Sequence, residues 1–179
     1  MDEQDARQFN PLADNLDGAF ANCRSSEAFR DLQFEGCVFD ACDFTKAAFA
    51  SSAFVDCRFS DCDLTMAEFP DTAFNGAVFE RCRLRGVDWT QVSAGLLSLE
   101  FHGCILDYGN FEGMKLKKTP FLKCSAVETT FANSDLRKAD FRDAEDLALN
   151  LAACQCAGLR LRLVDARGTL QMHGVKVSP

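Results

Sequence analysis

A large apolar residue recurs at every fifth position of the chain from Phe29 to Trp89. The thirteen positions of that run hold ten Phe, two Leu and one Trp, and the same spacing resumes at Phe101 and continues to Leu161. A period of five fits neither an α-helix nor a β-strand, whereas a fixed period over many units is typical of repeat proteins. The spacing therefore predicts a solenoid.

Smaller residues lie two positions before the large ones, so both series are predicted to point inward. Eight of the ten cysteines fall in this small series: Cys37, Cys42, Cys57, Cys62, Cys82, Cys104, Cys124 and Cys154. The chain has no paired Cys-x-x-Cys motifs, and its two histidines, His102 and His173, are isolated. We predict buried free thiols that act as small apolar side chains, with no metal site and no disulfide.

Units such as Cys42-Asp43-Phe44, Ser134-Asp135-Leu136 and Ala139-Asp140-Phe141 resemble the pentapeptide repeat family. The resemblance covers residues 27–166. It implies an all-β fold, a right-handed quadrilateral β-helix with about twenty residues in each of about seven coils, and capped ends. Residues one coil apart should then stack, which predicts a ladder of Phe29, Phe49, Phe69 and Trp89 and another of Phe101, Phe121, Phe141 and Leu161.

The two ends of the chain depart from the repeat. Residues 1–26 are predicted to form an N-terminal cap and an irregular first coil, packed through Phe9, Leu12, Leu16 and Phe20. Residues 167–179 are predicted to form a C-terminal cap or a dimerisation tail. The apolar candidates for that contact are Leu170, Met172, Val175 and Val177.

The spacing is also broken twice inside the repeat. Trp89 and Phe101 are twelve residues apart rather than ten, so two extra residues enter within residues 90–98. The candidate loop consists of Val92, Ser93, Ala94, Gly95, Leu96 and Leu97. Strict spacing would place Asp146 inside, where an unpaired carboxylate is costly, so we expect a local slip that turns Leu147 inward.

Acidic residues are concentrated in the first half of the chain. Residues 1–90 hold seventeen acidic and eight basic side chains (−9), and residues 91–179 hold ten and eleven (+1), which sums to the net charge of −8. Twenty-residue spacing groups candidate partner-binding acids on three faces: Asp43 with Asp63, Glu68 with Asp88, and Asp40, Asp61 and Glu80 together. These acids serve either ordinary solubility or a surface that imitates the phosphate rows of DNA.

Other functional classes find little support in the sequence. Lys115, Lys117, Lys118, Lys123, Arg137 and Lys138 form a basic cluster, but no exterior aromatic residues accompany it, so we predict a solvated face and no direct nucleic-acid binding. No catalytic motif is present, which predicts that the protein is not an enzyme and needs no cofactor. No apolar run approaches the roughly twenty residues of a membrane span, and the acidic N-terminus is unlike a secretory signal, which predicts a cytoplasmic protein.

Within the family, two stretches resemble the topoisomerase-protecting members of the quinolone-resistance and microcin-immunity types. They are Cys62-Asp63-Leu64-Thr65-Met66-Ala67-Glu68-Phe69 and Asp135-Leu136-Arg137-Lys138-Ala139-Asp140-Phe141. This resemblance implies a non-enzymatic, DNA-mimicking rod that binds DNA gyrase or topoisomerase IV and protects it from quinolone-like drugs or toxins, in some members as a homodimer. The alternative is a rigid β-solenoid interaction module with a partner unrelated to topoisomerases.

Overall fold

The computed structural model describes residues 7–8, 15–144 and 153–162. These residues contain no α-helix and form a parallel β-solenoid of about seven turns. The fold class predicted from the five-residue period is therefore confirmed.

Fifteen short strands carry the solenoid, and one 3-10 turn spans Trp89–Gln91. In chain order the strands are β1 Arg7–Gln8, β2 Ala19–Ala21, β3 Cys23–Arg24, β4 Ala28–Arg30, β5 Gln33–Glu35, β6 Val38–Asp40, β7 Ala48–Ala50, β8 Ala53–Val55, β9 Arg58–Ser60, β10 Ala73–Asn75, β11 Ala77–Glu80, β12 Leu99–His102, β13 Phe121–Leu122, β14 Asp140–Phe141 and β15 Arg160–Leu161. All strand pairs are parallel, because each strand pairs with the equivalent segment of the next coil.

Four faces follow from this pairing, and each is named here by the large side chains behind it. Face A holds Phe29, Phe49, Phe69, Trp89, Phe111 and Phe131; face B holds Phe34, Phe54, Phe74, Leu116 and Leu136; face C holds Phe39, Phe59, Phe79, Phe101, Phe121 and Phe141; face D holds Phe44, Leu64, Leu84, Leu106 and Ala126. Along the chain, each coil occupies faces A, B, C and D in that order before the next coil begins.

Aromatic rings fill the interior in the predicted ladders. On face A the ring centroids of Phe29 and Phe49 lie 5.4 Å apart, and those of Phe69 and Trp89 lie 5.7 Å apart. On face C the rings of Phe121 and Phe141 stack at 4.4 Å. Rings on adjacent faces meet edge to face, which is an arrangement that aromatic pairs prefer.

The small inward positions satisfy buried backbone carbonyls. Cys62 Sγ donates to the carbonyl oxygen of Phe39 at 3.4 Å, and Ser134 Oγ donates to that of Phe111 at 2.6 Å. Burial raises the pKa of the Cys57 thiol to about 12 because the interior disfavours the thiolate. All ten cysteines are free, and those of the small inward series are buried as predicted except Cys154, which is partly buried.

Sharp corners join the faces, and the residue two places after each large one turns them. Eighteen non-glycine residues of the described coils have positive φ angles, among them Asp31 at 58°, Asp56 at 51° and Asp71 at 52°. Asp and Asn tolerate this left-handed region better than most residues because their short polar side chains form local hydrogen bonds. The corner positions therefore accept aspartate at little cost.

The first coil is irregular. Phe20 pairs with Phe39, nineteen residues on, instead of the usual twenty, and its ring stacks on that of Phe39 at 4.9 Å. Phe20 is 7% exposed, but Leu16 is 65% exposed, so the prediction that Leu16 packs into a cap is wrong. Leu16 pairs with Glu35, an exposed residue of face B, and this register turns its side chain toward solvent.

Several terminal predictions concern residues outside the described part of the chain. They are Phe9, Leu12, the register at Asp146 and Leu147, and the tail residues Leu170, Met172, Val175 and Val177. All of these stay predictions.

The two extra residues lie where the spacing places them. Phe59 pairs with Phe79, twenty residues on, whereas Phe79 pairs with Phe101, twenty-two residues on. The intervening residues 92–98 leave the strand ladder of face B after the 3-10 turn. They form the loop that the twelve-residue gap between Trp89 and Phe101 predicts.

Candidate functional site

Four of the seven predicted partner-binding acids are neutralised by arginine. Asp61 accepts hydrogen bonds from Arg81 Nε at 2.8 Å and Nη2 at 2.6 Å, and Asp63 accepts from Arg83 Nε at 2.8 Å. Similar ion pairs join Asp43 to Arg24 and Glu80 to Arg58. Each arginine reaches across from a neighbouring coil, so faces C and D carry far less negative charge than their acid count implies.

The arginines also hold these carboxylates in the ionised form. The hydrogen bond from Arg81 lowers the pKa of Asp61, and the carboxylate in turn raises the pKa of the Arg81 guanidinium. Burial opposes ionisation of Asp63, but hydrogen bonds from Thr65 and Arg83 outweigh it and lower its pKa. A partner that binds these acids must first displace an arginine.

The other three predicted acids make no ion pair among the residues described. Asp40 and Glu68 are exposed, on faces C and A respectively. Asp88 accepts hydrogen bonds from the backbone N–H of Thr90 at 3.1 Å and from its hydroxyl at 2.7 Å, and so caps the 3-10 turn. Its role is therefore partly structural.

Several acids that the sequence reasoning missed are also without an ion pair in this part of the chain, and three of them are Asp31, Asp56 and Asp71. All three are exposed corner residues with positive φ angles. Asp31 and Asp71 lie on the edge between faces A and B, and Asp56 lies on the edge between faces B and C. Their corner positions could have been predicted from the sequence, because each follows a large inward residue by two positions.

Together these corners enclose a flat surface, which we call the acid-edged face. It consists of strands β5, β8 and β10, whose outward residues are Gln33 and Glu35, Ala53 and Val55, and Ala73 and Asn75. Asp31 and Asp71 border one side two coils apart, which corresponds to about 10 Å. Glu35 adds a further carboxylate between these corners, and the small side chains of Ala53, Val55 and Ala73 leave the negative charge accessible to a flat partner.

Glycine alternates with aspartate on one border of the acid-edged face. A Cβ atom added to Gly76 would lie 2.2 Å from Asp56 Oδ1, and one added to Gly36 would lie 2.2 Å from Asp17 Oδ1. Each carboxylate therefore leans over the glycine of the next coil. Glycine also suits the φ angle of 70° at Gly76.

The predicted loop closes the acid-edged face at one end. Val92 is buried and Leu97 packs against the core, whereas Ser93, Ala94 and Gly95 lie toward the surface. Leu96 is 82% exposed at the surface of the loop. The loop replaces a fourth strand beside β10 and presents an apolar side chain at the surface.

Beyond the loop, the same face changes sign. Lys115, Lys117, Lys118 and Lys138 are exposed and make no ion pair within the described coils, whereas Arg137 Nε donates to Asp135 Oδ1 at 2.8 Å. We call the four lysines the basic end of face B. These lysines are four of the six residues of the basic cluster that was predicted from the sequence. Its remaining lysine, Lys123, lies on a different corner, between faces C and D.

Other kinds of site find no support in the described coils. No group of three or more His, Cys, Asp or Glu side chains there could hold a metal ion. His102 Nε2 lies 3.1 Å from Glu100 Oε2 at the surface. In this part of the chain, no helix has the length and apolar character that crossing a membrane requires.

A family model matches part of this chain in sequence, and solved structures match it in fold. Residues 28–94 match the family model described as a pentapeptide repeat region. No curated protein matches the sequence. A trypsin-treated variant of QnrB1, described as a plasmid-mediated fluoroquinolone resistance protein, aligns with a TM-score of 0.61 at 20% identity over 97% of this chain and 99% of its own.

Two further solved structures extend the comparison. A second trypsin-treated variant of QnrB1 aligns with a TM-score of 0.54 at 20% identity over 92% of this chain and 99% of that one. HetL of Nostoc sp. strain PCC 7120 aligns with a TM-score of 0.36 at 14% identity over 83% of this chain and 88% of its own. Residues 28–94 therefore match the pentapeptide repeat family by sequence, and the two QnrB1 alignments show the same fold over most of the chain.

Proposed function

We propose that this protein is a non-enzymatic DNA mimic that binds the DNA groove of a type II topoisomerase, DNA gyrase or topoisomerase IV, and protects it from quinolone-like drugs or toxins. The observation that carries the proposal is the acid-edged face, where Asp31, Asp56 and Asp71 are exposed and make no ion pair among the described residues. The proposal includes a cytoplasmic location, where such an enzyme acts.

The charge distribution favours a basic groove as the partner. Fixed carboxylates on a stiff scaffold create a field that attracts positively charged surfaces and repels nucleic acid. On faces C and D, arginines reduce this field, so the attraction is directed to the side of the acid-edged face. A protein groove built for DNA phosphates has the complementary charge.

Similarity of fold adds support. QnrB1 is described as a fluoroquinolone resistance protein, and a trypsin-treated variant of it shares this fold over nearly the whole chain. The exposed Leu96 of the loop adds an apolar anchor, and buried apolar anchors supply much of the affinity at protein interfaces. Asp43, Asp61, Asp63 and Glu80 remain predicted contacts, reached after displacement of their arginines.

A gyrase supercoiling assay with a fluoroquinolone tests the proposal. Rising concentrations of this protein should restore supercoiling at a fixed drug concentration. The combined variant Asp31→Asn, Asp56→Asn and Asp71→Asn should raise the required protein concentration about tenfold, because exposed interfacial charges govern the association rate.

The matched control is Asp43→Asn, Asp61→Asn and Asp63→Asn, which removes the same number of charges from ion-paired positions. It should weaken protection less than the first variant. Equal losses in the two variants would place the partner elsewhere on the molecule. Absence of protection by the wild-type protein at micromolar concentration would reject the topoisomerase proposal and favour the alternative, an interaction module with an unrelated partner.

Dimerisation through the C-terminal tail belongs to the proposal as well. Sedimentation of the full chain against a variant that carries Leu170→Asp and Val175→Asp tests it. A homodimer that dissociates in the variant supports the C-terminal tail as the interface, and a wild-type monomer rejects it.

A further inference from the structure

The loop at residues 92–97 covers a pocket of about 260 Å³ beside the interior of the solenoid. Val92, Ala94 and Leu97 form one wall, Met114 and Lys115 of the next coil form the opposite wall, and Trp89 also borders the pocket. Most of these groups are apolar, which is typical of small-molecule sites. The pocket lies at the junction between the acid-edged face and the basic end of face B.

The cause of the pocket is the two-residue insertion. On face B, the strands of successive coils pair from β5 through β8 to β10. Pairing resumes after the loop, where Lys115 pairs with Asp135 and Asp135 pairs with Gln155. Between β10 and Lys115 the loop takes the place of a strand, and no bridge joins it to Lys115 in the described coils. A gap therefore remains where two coils would otherwise be in contact.

This gap leaves a backbone donor without an acceptor. The residues equivalent to Lys115 donate their N–H groups to the coil before: Ala53 to Leu32 at 2.8 Å, Ala73 to Ser52 at 2.8 Å, Asp135 to Met114 at 2.9 Å and Gln155 to Ser134 at 3.0 Å. Lys115 has no such bond among the described residues, although the loop that precedes it lies within them. Its N–H is therefore available to a ligand.

A second donor at the pocket is also unsatisfied. The Trp89 side chain is fully buried, and its Nε1–H has no hydrogen-bond acceptor in the described part of the chain. This nitrogen is inaccessible to solvent, so a ligand in the pocket contacts other atoms of the wall rather than the indole N–H.

The pocket lining carries one lysine, Lys115, and one carboxylate, that of Glu112, and the two make no ion pair in the described coils. The Lys115 side chain has no ion pair within the described coils, and Lys117 and Lys118 continue the positive surface. The one carboxylate of the lining, that of Glu112, accepts a hydrogen bond from Asn133 Nδ2 at 3.0 Å. A carboxylate at the mouth of the pocket can accept from both the N–H and the ammonium group of Lys115, and bonds to charged groups are the strong ones.

We propose that this pocket binds a small aromatic carboxylate, with its ring against Val92, Leu97 and Met114 and its carboxylate on Lys115. The volume suits one or two rings rather than a peptide segment, since pockets for drug-sized ligands begin at about 300 Å³. The site is separate from the aspartates of the acid-edged face, so the proposed topoisomerase function neither requires it nor follows from it.

Titration of the full chain with benzoate tests the site, with benzamide as the neutral ligand of nearly the same shape. Trp89 is the only tryptophan, so the protein gives a single indole N–H signal in a proton–nitrogen NMR spectrum. Benzoate should saturate shifts at the Trp89 indole and at the amides of Gly95, Gly113 and Lys115 in the millimolar range. Benzamide should bind about tenfold more weakly, because it lacks the charge.

Variants test the carboxylate contact at Lys115 and the apolar contact in the pocket separately. Lys115→Met should weaken the binding of benzoate about tenfold and leave the binding of benzamide unchanged. Lys123→Met, on another corner, should change the affinity for neither ligand. Ala94→Phe should fill the pocket and abolish both, with an unchanged spectrum elsewhere to show that the fold is intact. Three results would each overturn the proposal: no saturable shift at tens of millimolar benzoate, equal binding of both ligands, or equal effects of the two lysine variants.

Discussion

The coils before and after the loop share one backbone but carry opposite charge. In both parts the residue two places after most of the large side chains turns the corner with a positive φ angle. The first part places Asp31, Asp56 and Asp71 there, and the second places Lys118 and Lys138. The interior therefore fixes the fold, while the corners are free to differ in chemistry. The acid-edged face and the basic end of face B show that freedom on one continuous face.

Interior chemistry also differs between the two parts. All four faces of the coil from Phe39 to Phe54 hold phenylalanine, whereas after the loop faces B and D hold leucine or alanine, as at Leu116 and Leu136. Ion pairs differ too: Asp61–Arg81 joins two coils in the first part, but Asp135–Arg137 stays within one unit in the second. We therefore expect the first part to depend more on contacts between coils.

The largest expected effect tests the aromatic interior. Phe54 is 1% exposed and stacks on Phe34 at 5.1 Å and on Phe74 at 5.2 Å, so Phe54→Ala should lower the free energy of unfolding by about 4 kcal/mol. Leu136→Ala on the same face should cost about 3 kcal/mol, because a smaller side chain is removed. Urea unfolding measures both, and a larger loss at Leu136 would contradict the comparison.

Two corner glycines give the next effect. Gly76→Ala places a Cβ against Asp56 Oδ1 as well as at a positive φ angle, so it should cost about 2 kcal/mol. Gly113 has the same backbone conformation but open space around it, so Gly113→Ala should cost about 1 kcal/mol. Asp56→Ala should remove the difference between the two, as measured by thermal unfolding. A difference that persists in the Asp56→Ala background would show that the carboxylate is not its cause.

The two kinds of ion pair should respond differently to acid. The hydrogen bond from Arg137 lowers the pKa of Asp135 from 3.8 to about 2, so the stability it contributes is complete above about pH 4 and is lost as the pH falls toward 2. Asp135→Asn should therefore make the fall in stability over this range less steep. Asp61→Asn should have a smaller effect, because Asp61 is about half exposed and solvent screens its pair.

Denaturant midpoints across this acid range measure the difference. Equal slopes for Asp135→Asn and the wild-type protein would show that the pair does not contribute to acid stability. A larger change in slope for Asp61→Asn would reverse the ranking of the two kinds of pair.

The smallest expected effect tests the freedom of the corners. Asp56 in the first part and Lys118 in the second occupy equivalent corners between faces B and C. Asp56→Lys should therefore change the free energy of unfolding by less than about 0.5 kcal/mol. A loss above about 1 kcal/mol would mean that the aspartate stabilises the fold itself. Circular dichroism during urea unfolding is sufficient to measure it.

Spacing in the sequence was enough to predict the interior of the coils. The ladder from Phe29 to Trp89, the buried cysteines and the two extra residues before Phe101 all agree with the structure. Leu16 was the exception, because the first coil is shorter than the repeat and the five-residue pattern does not extend to it. For the same reason the sequence alone could not place the residues of the irregular end.

The candidate surfaces were predicted less well. Residues twenty apart were correctly expected to stack, as Asp43 and Asp63 do. The sequence did not reveal that arginines such as Arg81 neutralise such acids, nor that corner acids such as Asp31 and Asp71 are without ion pairs in the described coils. Long arginine side chains can reach several carboxylates, and only the folded coils decide which one.

By itself, the sequence determined which side chains face inward and which residues stack, because in a repeat of fixed length those properties depend only on spacing along the chain. The tertiary structure alone decided which charges are cancelled and where a pocket opens. Ion pairs such as Arg81–Asp61 form between coils, and the pocket beside Lys115 exists because the loop does not continue the strand ladder. Both depend on distances across the solenoid that spacing does not specify.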